Sequence, residues 1–552
     1  MPLSTSMLLL LGLAQGAGSP AIAPDGYLKT PIAGLERTGA VETISGSTRL
    51  IQIRKSNPET NATQLTIANS GTVAKGDILA LKLTFRGRGS GDKPARIEVM
   101  FEKATSPWLK SFTQSYESSP TGKDWKNVSA VFKSAESYSA GQAMLSIRLA
   151  TQIQTVELAA VALTNLGPDK PGRTLEDMRE EEYAKIDLGT VNIVVNPDQR
   201  MQTMEGLGGN FCQPRYGSTE AMDAVGQYCL DKLDVRNGRV GIPLNHWNPA
   251  KGVYKAEGQA EASMKAMAIL KKKGMPVTAS VWEPGRWMLG GNVEESGRDL
   301  DPALYPDCVN ALIEYVRYAK KHHDVEPDYI SFNEPDIGIN VKFSPAQMIS
   351  FVKQWGTAAD RAGIKTKFLV ADSANGNNLY ELAHPMLEDA SIAKYLGPIA
   401  FHCWDSLSAS AESYDKIKQL GLKYKKPVWC MEAGHDAQLW QQENAWGTWE
   451  NAIRTALAYE RTLRLTGASV MSYWTYQDNY TLVDPKTMKP HASFKVMQGM
   501  DKVFGAGQTI VSSTSSSQGI VSMASVSGTG TRAMLVAAEG KANVVLAGLP
   551  KD

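Results

Sequence analysis

Two short segments of the chain carry a glutamate at the end of a strand-like apolar run. Glu334 lies in the segment 331–335 (SFNEP), and Glu432 lies in the segment 427–433 (PVWCMEA). Ionisable groups at the ends of buried strands are costly for stability, yet this is where (β/α) barrels place catalytic residues. Two carboxyl groups that face one pocket are what hydrolysis of a glycosidic bond requires. We therefore expect Glu334 and Glu432 to be a catalytic pair.

Length and charge limit the class of protein. The chain has 552 residues, of which 43% are hydrophobic. One hydrophobic core rarely organises such a length, so we expect two or three domains. The formal net charge is +1, from 58 basic and 57 acidic residues, so no overall field attracts nucleic acid or an anionic membrane. A neutral carbohydrate substrate fits this balance, and neither nucleic acid nor a membrane is an expected partner.

The first residues indicate export. The apolar run at 7–14 (MLLLLGLA) is too short to span a bilayer, and small residues follow it as far as Ala23. We predict a signal peptide over residues 1–23 and hence a secreted or periplasmic protein. No Lys or Arg precedes the apolar run, and Pro24 follows Ala23. Cleavage after an earlier small residue is therefore an equal alternative.

The cysteines and short motifs indicate no cofactor. The five cysteines are Cys212, Cys229, Cys308, Cys403 and Cys430, which are too few and too scattered for a disulfide framework or a zinc site. Cys403 and Cys430 fall on runs that we interpret as neighbouring strands, so one bridge between them remains open. The sequence has no Walker loop, no dinucleotide fingerprint and no His-Glu-x-x-His motif. We expect neither a metal nor a cofactor.

Residues 26–166 have the pattern of an antiparallel β-sandwich. Short alternating runs are separated by clusters of Gly, Ser, Asp and Lys. The order of these features resembles jelly-roll carbohydrate-binding modules. Trp108, Tyr116 and Trp125 either stack on sugar rings or fill the sandwich core and its edge, and the sequence leaves both roles open. A linker rich in Gly, Pro and charged residues follows at 167–186.

Between residues 187 and 505, short buried runs alternate with amphipathic helical segments. The eight runs span 204–211, 238–245, 276–283, 328–334, 367–372, 398–404, 427–432 and 468–476. Periodicity alone would also allow a doubly wound sheet. The number of runs, and the polar or aromatic residues at their ends, favour a (β/α)8 TIM barrel.

The residues at the ends of these runs should converge, because parallel strands deliver their carboxyl ends to one rim of a barrel. Aromatic rings beside carboxylates suit a sugar, whose C–H faces stack on rings while its hydroxyls form hydrogen bonds. We predict substrate-binding roles for Asn210, Arg239, Trp282, Asn333, His402, Trp404 and Trp474.

Four of the segments carry a family resemblance. They are 204–211 (MEGLGGNF), 279–288 (ASVWEPGRWM), 333–335 (NEP) and 400–404 (AFHCW). With Glu432 they resemble a clan A glycoside hydrolase and, within the clan, family 30. The resemblance runs from about residue 187 to the C-terminus. Residues 282–285 (WEPG) depart from it, because the family usually has Trp-Ser-Pro-Pro there.

The resemblance implies a retaining hydrolase of β-glycosidic bonds. Glu334 would be the general acid/base and Glu432 the nucleophile, and a small β side domain would occupy 506–552. Asn333 would bind the 2-hydroxyl of the sugar, with Trp474 and Trp282 as the floor of the pocket.

Two site residues keep alternative roles. His402 either positions the nucleophile, contacts a hydroxyl or is a core residue. Arg239 either restrains the nucleophile electrostatically or pairs with a structural carboxylate.

Two other functions remain open. A non-catalytic carbohydrate-binding protein on a silent barrel would keep the aromatic floor but lose one acid. An inverting hydrolase would use a different acid, such as Asp405 or Glu283. The sequence does not define the sugar, the linkage or exo against endo action, and it gives no sign of an obligate protein partner.

Overall fold

The computed structural model describes residues 19–22, 25–57, 59–119, 121–171, 173–212, 217–290, 299–337, 341–439, 445–477, 480–528, 530–538 and 540–549. The chain divides into two compact units. One is formed mainly by the residues up to Asp187, and the other mainly by the residues from Leu188 onwards.

The first unit is an antiparallel β-sandwich. Its strands are β1 (Ser19–Ile22), β2 (Ile32–Ala33), β3 (Val41–Ser45), β4 (Thr48–Ile53), β5 (Gln64–Ala68), β6 (Ile78–Gly89), β7 (Arg96–Lys103), β8 (Lys110–Glu117), β9 (Lys126–Lys133), β10 (Ala143–Arg148) and β11 (Gln154–Gly167). One sheet has the order β3-β4-β11-β6-β9, with β1 also on β11, and the other has the order β2-β5-β10-β7-β8. Alternate side chains, such as Leu83 on β6 and Val99 on β7, fill the core between the sheets. The helices of this unit are α1 (Gly26–Lys29), α2 (Leu35–Thr38) and α3 (Leu175–Lys185).

Strand β1 changes the expected start of the sandwich. Ser19 pairs with Asn165 and Ile22 with Leu163 on β11, and the side chains of Ala21 and Ile22 are buried. Cleavage after residue 23 would remove this strand, whereas cleavage after an earlier small residue would keep it. The apolar run of the predicted signal lies outside the described residues.

The three aromatic residues considered for sugar stacking have different environments. Tyr116 belongs to the sandwich core. Trp108 and Trp125 are 47% and 38% exposed, and the guanidinium of Arg86 lies 4.3 Å from the ring centroid of Trp125. Sugar binding stays a prediction for the two exposed tryptophans.

The second unit begins with a long strand, β12 (Asp187–Thr203), and then forms a closed barrel of eight parallel strands. These are β13 (Gly206–Asn210), β14 (Val235–Ile242), β15 (Val277–Val281), β16 (Tyr329–Phe332), β17 (Lys367–Ser373), β18 (Leu396–His402), β19 (Val428–Ala433) and β20 (Val470–Tyr473). Strand β20 closes the barrel on β13. Each strand overlaps one of the eight predicted runs, so the TIM-barrel prediction is confirmed.

Helices surround the barrel strands. They are α4 (Ala224–Lys232), α5 (Leu244–Trp247), α6 (Gly258–Lys272), α7 (Tyr305–His323), α8 (Pro345–Ala362), α9 (Gly376–Glu388), α10 (Ala411–Tyr424), α11 (Trp449–Thr466) and α12 (Ala492–Phe504). Helix α8 illustrates how the sequence defines them. A capping box of Ser344 and Gln347 begins it, and Gly363 with a φ of 66° ends it. The ring centroid of its Phe351 lies 5.1 Å from that of Phe332 on β16. This contact packs α8 against the last residue of that strand.

A β side domain accompanies the barrel, as predicted. It consists of β12 with β21 (Thr509–Ser515), β22 (Ile520–Ser527), β23 (Gly530–Ala537) and β24 (Lys541–Ala547), in the order β23-β22-β21-β12-β24. Met523 and Val536 join the large core of the barrel unit. The side domain is therefore continuous with the barrel core.

The cysteines form no bridge. All five are buried thiols outside any disulfide, so the possible bridge between Cys403 and Cys430 is not formed.

In the described ranges, no helix is both long enough and apolar enough to cross a bilayer.

We predict that a chain beginning at Asp25 is less stable than one beginning at Ser19. The shorter chain leaves one edge of β11 without a partner at residues 163–165, where β6 pairs only with the other edge. It also loses the burial of Ile22, which is worth about 1.5–3 kcal/mol for a side chain of this size. We expect the sandwich to lose roughly this free energy of unfolding. Calorimetry of the two purified chains measures the difference, and identical transitions would show that β1 adds nothing.

Candidate active site

Glu334 and Glu432 come from strands that are not neighbours, yet their carboxylates meet at the carboxyl end of the barrel. Glu334 follows β16, and Glu432 lies near the end of β19. A carboxylate oxygen of Glu334 lies within 4.8 Å of a carboxylate oxygen of Glu432. Glu334 has a φ of 49°, a left-handed conformation that residues other than glycine rarely adopt. The two side chains are 11% and 5% exposed.

The imidazole of His402, at the end of β18, lies between the two carboxylates. Its Nδ1 is 3.0 Å from Oε1 of Glu334 and 3.3 Å from Oε2 of Glu432, and its Nε2 is 3.3 Å from Oδ1 of Asp372. His402 is completely buried. Among its expected roles, positioning the carboxylates fits this environment, and contact with a substrate hydroxyl does not.

The guanidinium of Arg239, on β14, is fully buried and joins several strands. Nη1 donates to Oε1 of Glu432 at 2.5 Å and to Oδ1 of Asn210 at 3.1 Å. Nη2 donates to Oδ1 of Asn333 at 2.7 Å and to Oδ2 of Asp372 at 2.9 Å. A buried charge is tolerated only when it is paired and hydrogen-bonded. Arg239 meets both conditions.

Asp372, near the end of β17, is a site residue that the sequence analysis missed. Ala371 and Asp372 have φ values of 75° and 54°, and the pairing of β17 with β18 is irregular there. A signal for Asp372 was available in the sequence. The run 367–372 ends in this carboxylate, so the rule that selected Glu334 and Glu432 would also have selected Asp372.

The contacts of Asp372 reach both halves of the site. Its Oδ2 accepts hydrogen bonds from Ser331 at 2.6 Å, Arg239 at 2.9 Å and Ser280 at 3.1 Å. Its main-chain oxygen accepts from the N–H of Glu334 at 3.1 Å. Asp372 therefore holds Arg239 through its side chain and Glu334 through its backbone.

Burial and charge set the protonation states. Burial alone would raise the pKa of Asp372, but Arg239 and His402 hold it well below its usual range. Burial alone would lower the pKa of His402, but Glu432, Asp372 and Glu334 raise it to about 10. Burial raises the pKa of Glu432, and His402 and Arg239 oppose that rise. These shifts favour the ionised form of Asp372 and the doubly protonated form of His402.

Tryptophan rings line the space beside the carboxylates. The ring centroids of Trp282 and Trp474 are 5.8 Å apart, with their planes tilted by 38°. The guanidinium of Arg239 lies 4.5 Å from the centroid of Trp282. Trp282, Trp474 and Asn333 are 4%, 7% and 6% exposed, so each keeps some surface for its predicted contact with substrate.

The position of Trp404 depends on a glycine. Its Nε1 donates to Oε2 of Glu432 at 3.3 Å, and its ring lies 5.8 Å from that of Tyr480. A Cβ atom at Gly434 would lie 2.3 Å from the Trp404 ring. Only glycine at position 434 lets the indole approach β19 this closely.

Two expected substrate contacts need correction. Asn210 and Arg239 are completely buried. Nδ2 of Asn210 donates to the main-chain oxygens of Met431 at 2.8 Å and Tyr473 at 3.1 Å, and its Oδ1 accepts from Arg239. We reassign both residues from substrate contact to support of the site. Both expected roles of Arg239 occur together, since it pairs with Glu432 and with a second carboxylate.

The alternative acids have other partners. Asp405 accepts hydrogen bonds from the N–H of Gly376 at 3.2 Å and the hydroxyl of Tyr414 at 2.7 Å, so it anchors the first turn of α9. Glu283 accepts from Nδ2 of Asn245 at 3.3 Å.

Glu334, His402 and Glu432 are also spaced like a set of metal ligands. A doubly protonated imidazole has no free nitrogen lone pair, so metal binding would require His402 to lose a proton.

The sequence matches no protein-family model and no curated protein. The fold has solved relatives. A glycoside hydrolase family 30 subfamily 8 xylanase from Clostridium acetobutylicum is similar with a TM-score of 0.50 and 20% identity, over 63% of this chain and 84% of that one. A GH30 endoxylanase from Clostridium papyrosolvens gives a TM-score of 0.49 and 19% identity, over 62% and 83%.

An endo-β1,6-glucanase gives a TM-score of 0.47 and 18% identity, over 63% of this chain and 87% of that one. At 20% identity, the similarity to the Clostridium acetobutylicum xylanase concerns the fold. The family 30 resemblance inferred from the sequence is confirmed at that level.

We predict that Arg239→Met lowers the free energy of unfolding by about 3–5 kcal/mol at pH 7, because two buried carboxylates lose their cation. In the variant, the pKa values of Asp372 and Glu432 in the folded state should rise above those in the unfolded chain. The stability deficit should therefore shrink as the pH falls towards 4.

Urea denaturation at pH 7 and at pH 4.5 measures this deficit. The control is Arg236→Met, because Arg236 lies on the same strand but is 53% exposed and pairs with an exposed Asp234. A deficit in Arg239→Met that is equal at both pH values would contradict the electrostatic explanation.

Proposed function

We propose that this protein is a glycoside hydrolase that cleaves β-glycosidic bonds in oligo- or polysaccharides with retention at the anomeric carbon. The observation that carries the proposal is the separation of the two glutamates, whose nearest oxygens lie within 4.8 Å. Retaining enzymes hold their carboxyl groups about 5–5.5 Å apart, whereas inverting enzymes need about 6.5–9.5 Å to admit a water molecule.

Glu432 has the surroundings of a nucleophile. Arg239 binds Oε1 at 2.5 Å, and Trp404 and His402 contact Oε2 at 3.3 Å each. These partners fix the carboxylate and stabilise its ionised form, which is the form that attacks the anomeric carbon. A fixed nucleophile also reduces the entropy that must be lost in the transition state.

Glu334 is the proposed general acid and base. Nδ1–H of His402 faces Oε1 of Glu334, which leaves Oε2 to carry the proton for the departing oxygen. Once the glycosyl ester of Glu432 has formed, Glu334 has lost its proton and acts as the base for the attacking water.

The substrate contacts follow from the residues that keep accessible surface. Oδ1 of Asn333 accepts from Arg239, so the amide NH2 is free of that contact and suits a hydrogen bond to the 2-hydroxyl of the sugar. The rings of Trp282 and Trp474 supply an apolar surface for the sugar C–H groups. Export by a signal peptide that ends before Ser19 is part of the same proposal.

We expect Glu432→Ala to lower kcat by about 10⁴-fold or more, because no other group can form the glycosyl ester. Sodium azide should restore turnover of an activated β-aryl glycoside and yield the α-glycosyl azide. The assay needs a panel of β-linked aryl glycosides and of plant, algal and fungal β-glycans to find the best substrate. Full hydrolysis by the variant would eliminate Glu432 as the nucleophile.

We expect proton NMR to detect the β-anomer as the first product of the wild-type protein. The α-anomer as first product would instead indicate an inverting hydrolase, in which Asp405 or Glu283 would be the candidate acid. Sugar binding without turnover on the whole panel would favour the non-catalytic alternative.

A further inference from the structure

Asp372 is a buried carboxylate that has no chemical step in the proposed reaction. It is completely buried, and the chain adopts two successive left-handed residues, Ala371 and Asp372, to place it there. A buried charge and backbone strain both reduce stability. Such a feature at the carboxyl end of a barrel points to a role in the site.

We propose that Asp372 is a positioning residue whose ionised carboxylate keeps His402 doubly protonated, so that the imidazolium joins the two catalytic glutamates. The proposed function is needed only for the effect of Asp372 on activity. The charge of His402 is a property of the folded protein and can be measured without a substrate.

The geometry gives the two oxygens of Asp372 different partners. Oδ2 accepts hydrogen bonds from Arg239, Ser280 and Ser331, and these three donors fix the plane of the carboxylate. Oδ1 lies 3.3 Å from Nε2 of His402, an ion-pair contact without the geometry of a hydrogen bond.

The charges of the cluster balance only when Asp372 is included. The titratable groups that face His402 are Glu334, Asp372 and Glu432. Arg239 pairs with Asp372 and with Glu432. With Glu334 protonated as the acid, two anions face two cations. Without Asp372 the buried cluster would carry an excess positive charge, and burial would then favour release of the proton on His402.

The charge of His402 affects both catalytic groups. A doubly protonated ring donates from Nδ1 towards Glu334 in every protonation state of the site, so the acid proton stays on the oxygen that faces the substrate. The same positive charge favours the ionised form of Glu432. Loss of Asp372 should therefore raise the pKa of Glu432 and shift the acid limb of the pH profile to higher pH.

The test is nitrogen-15 NMR of the imidazole groups in the full-length protein, with the His402 signals assigned from their loss in His402→Gln. In the wild type, both ring nitrogens of His402 should remain protonated through pH 8. In Asp372→Asn, the ring should be neutral at pH 7.5. The matched control is Asp405→Asn, because Asp405 is a half-buried carboxylate that follows β18 but is engaged by α9 and Tyr414. The control should leave His402 charged.

A neutral His402 in the wild type at pH 7.5 would overturn the proposal, and so would a charged His402 in Asp372→Asn. If Asp372→Asn does not fold, the wild-type spectrum still decides whether His402 is a cation.

Kinetics extend the test to the reaction. The acid limb of kcat/KM should move up by about one pH unit in Asp372→Asn and should not move in Asp405→Asn. An unmoved limb in an active Asp372→Asn would overturn the effect on Glu432. Absence of any wild-type activity would instead refute the proposed function, and the NMR result would stand independently.

Discussion

The buried guanidinium of Arg239 is the constraint on which the rest of the site depends. A fully buried cation must be surrounded by acceptors, and the barrel supplies them from five different strands or strand ends. The acceptors belong to Asn210, Ser280, Asn333, Asp372 and Glu432. Because each acceptor sits at a fixed place on its strand, the cation also fixes the spacing of the strand ends. The candidate nucleophile is thus positioned by the same contacts that satisfy the buried charge, which is the preorganisation that electrostatic catalysis requires.

The site contains two kinds of residue: those that position other side chains, and those that are proposed to contact the substrate. Arg239, Asp372, His402 and Asn210 have no exposed surface and contact one another or the backbone. Glu334, Asn333, Trp282 and Trp474 keep a small exposed fraction. Replacing a buried ionic network by apolar residues often stabilises a protein. A gain in stability therefore does not account for this network, whereas the proposed reaction needs the carboxylates that the network positions.

The sequence predicted which residues lie together at the carboxyl end of the barrel, because this depends only on the direction of the strands. Parallel strands bring their ends to one rim, so Glu334 and Glu432 could be paired from their positions after two apolar runs. How deeply each residue lies could not be predicted, because burial depends on neighbouring strands. The complete burial of Asn210 and Arg239 fits support of the site better than the substrate contact that their positions at strand ends indicated. Asp372 was missed although its apolar run, like those of Glu334 and Glu432, ends in a carboxylate. The left-handed backbone at Ala371 and Asp372 is the feature that residue types do not reveal. Strand β1 was hidden because its few residues also fit the end of an export signal.

The position of β12 in the chain has a consequence for biosynthesis. The strands of the sandwich all lie within residues 19–167, so that unit can fold soon after it leaves the ribosome. Strand β12 pairs instead with a strand more than 300 residues later, with Val195 opposite Ser513. At about 5–20 residues per second, translation leaves β12 without its partner for roughly 15–60 s. During this interval its apolar residues, Val191, Ile193 and Val195, have no side sheet to cover them, and such exposed apolar surface makes a partly folded chain prone to aggregation until the last strands emerge.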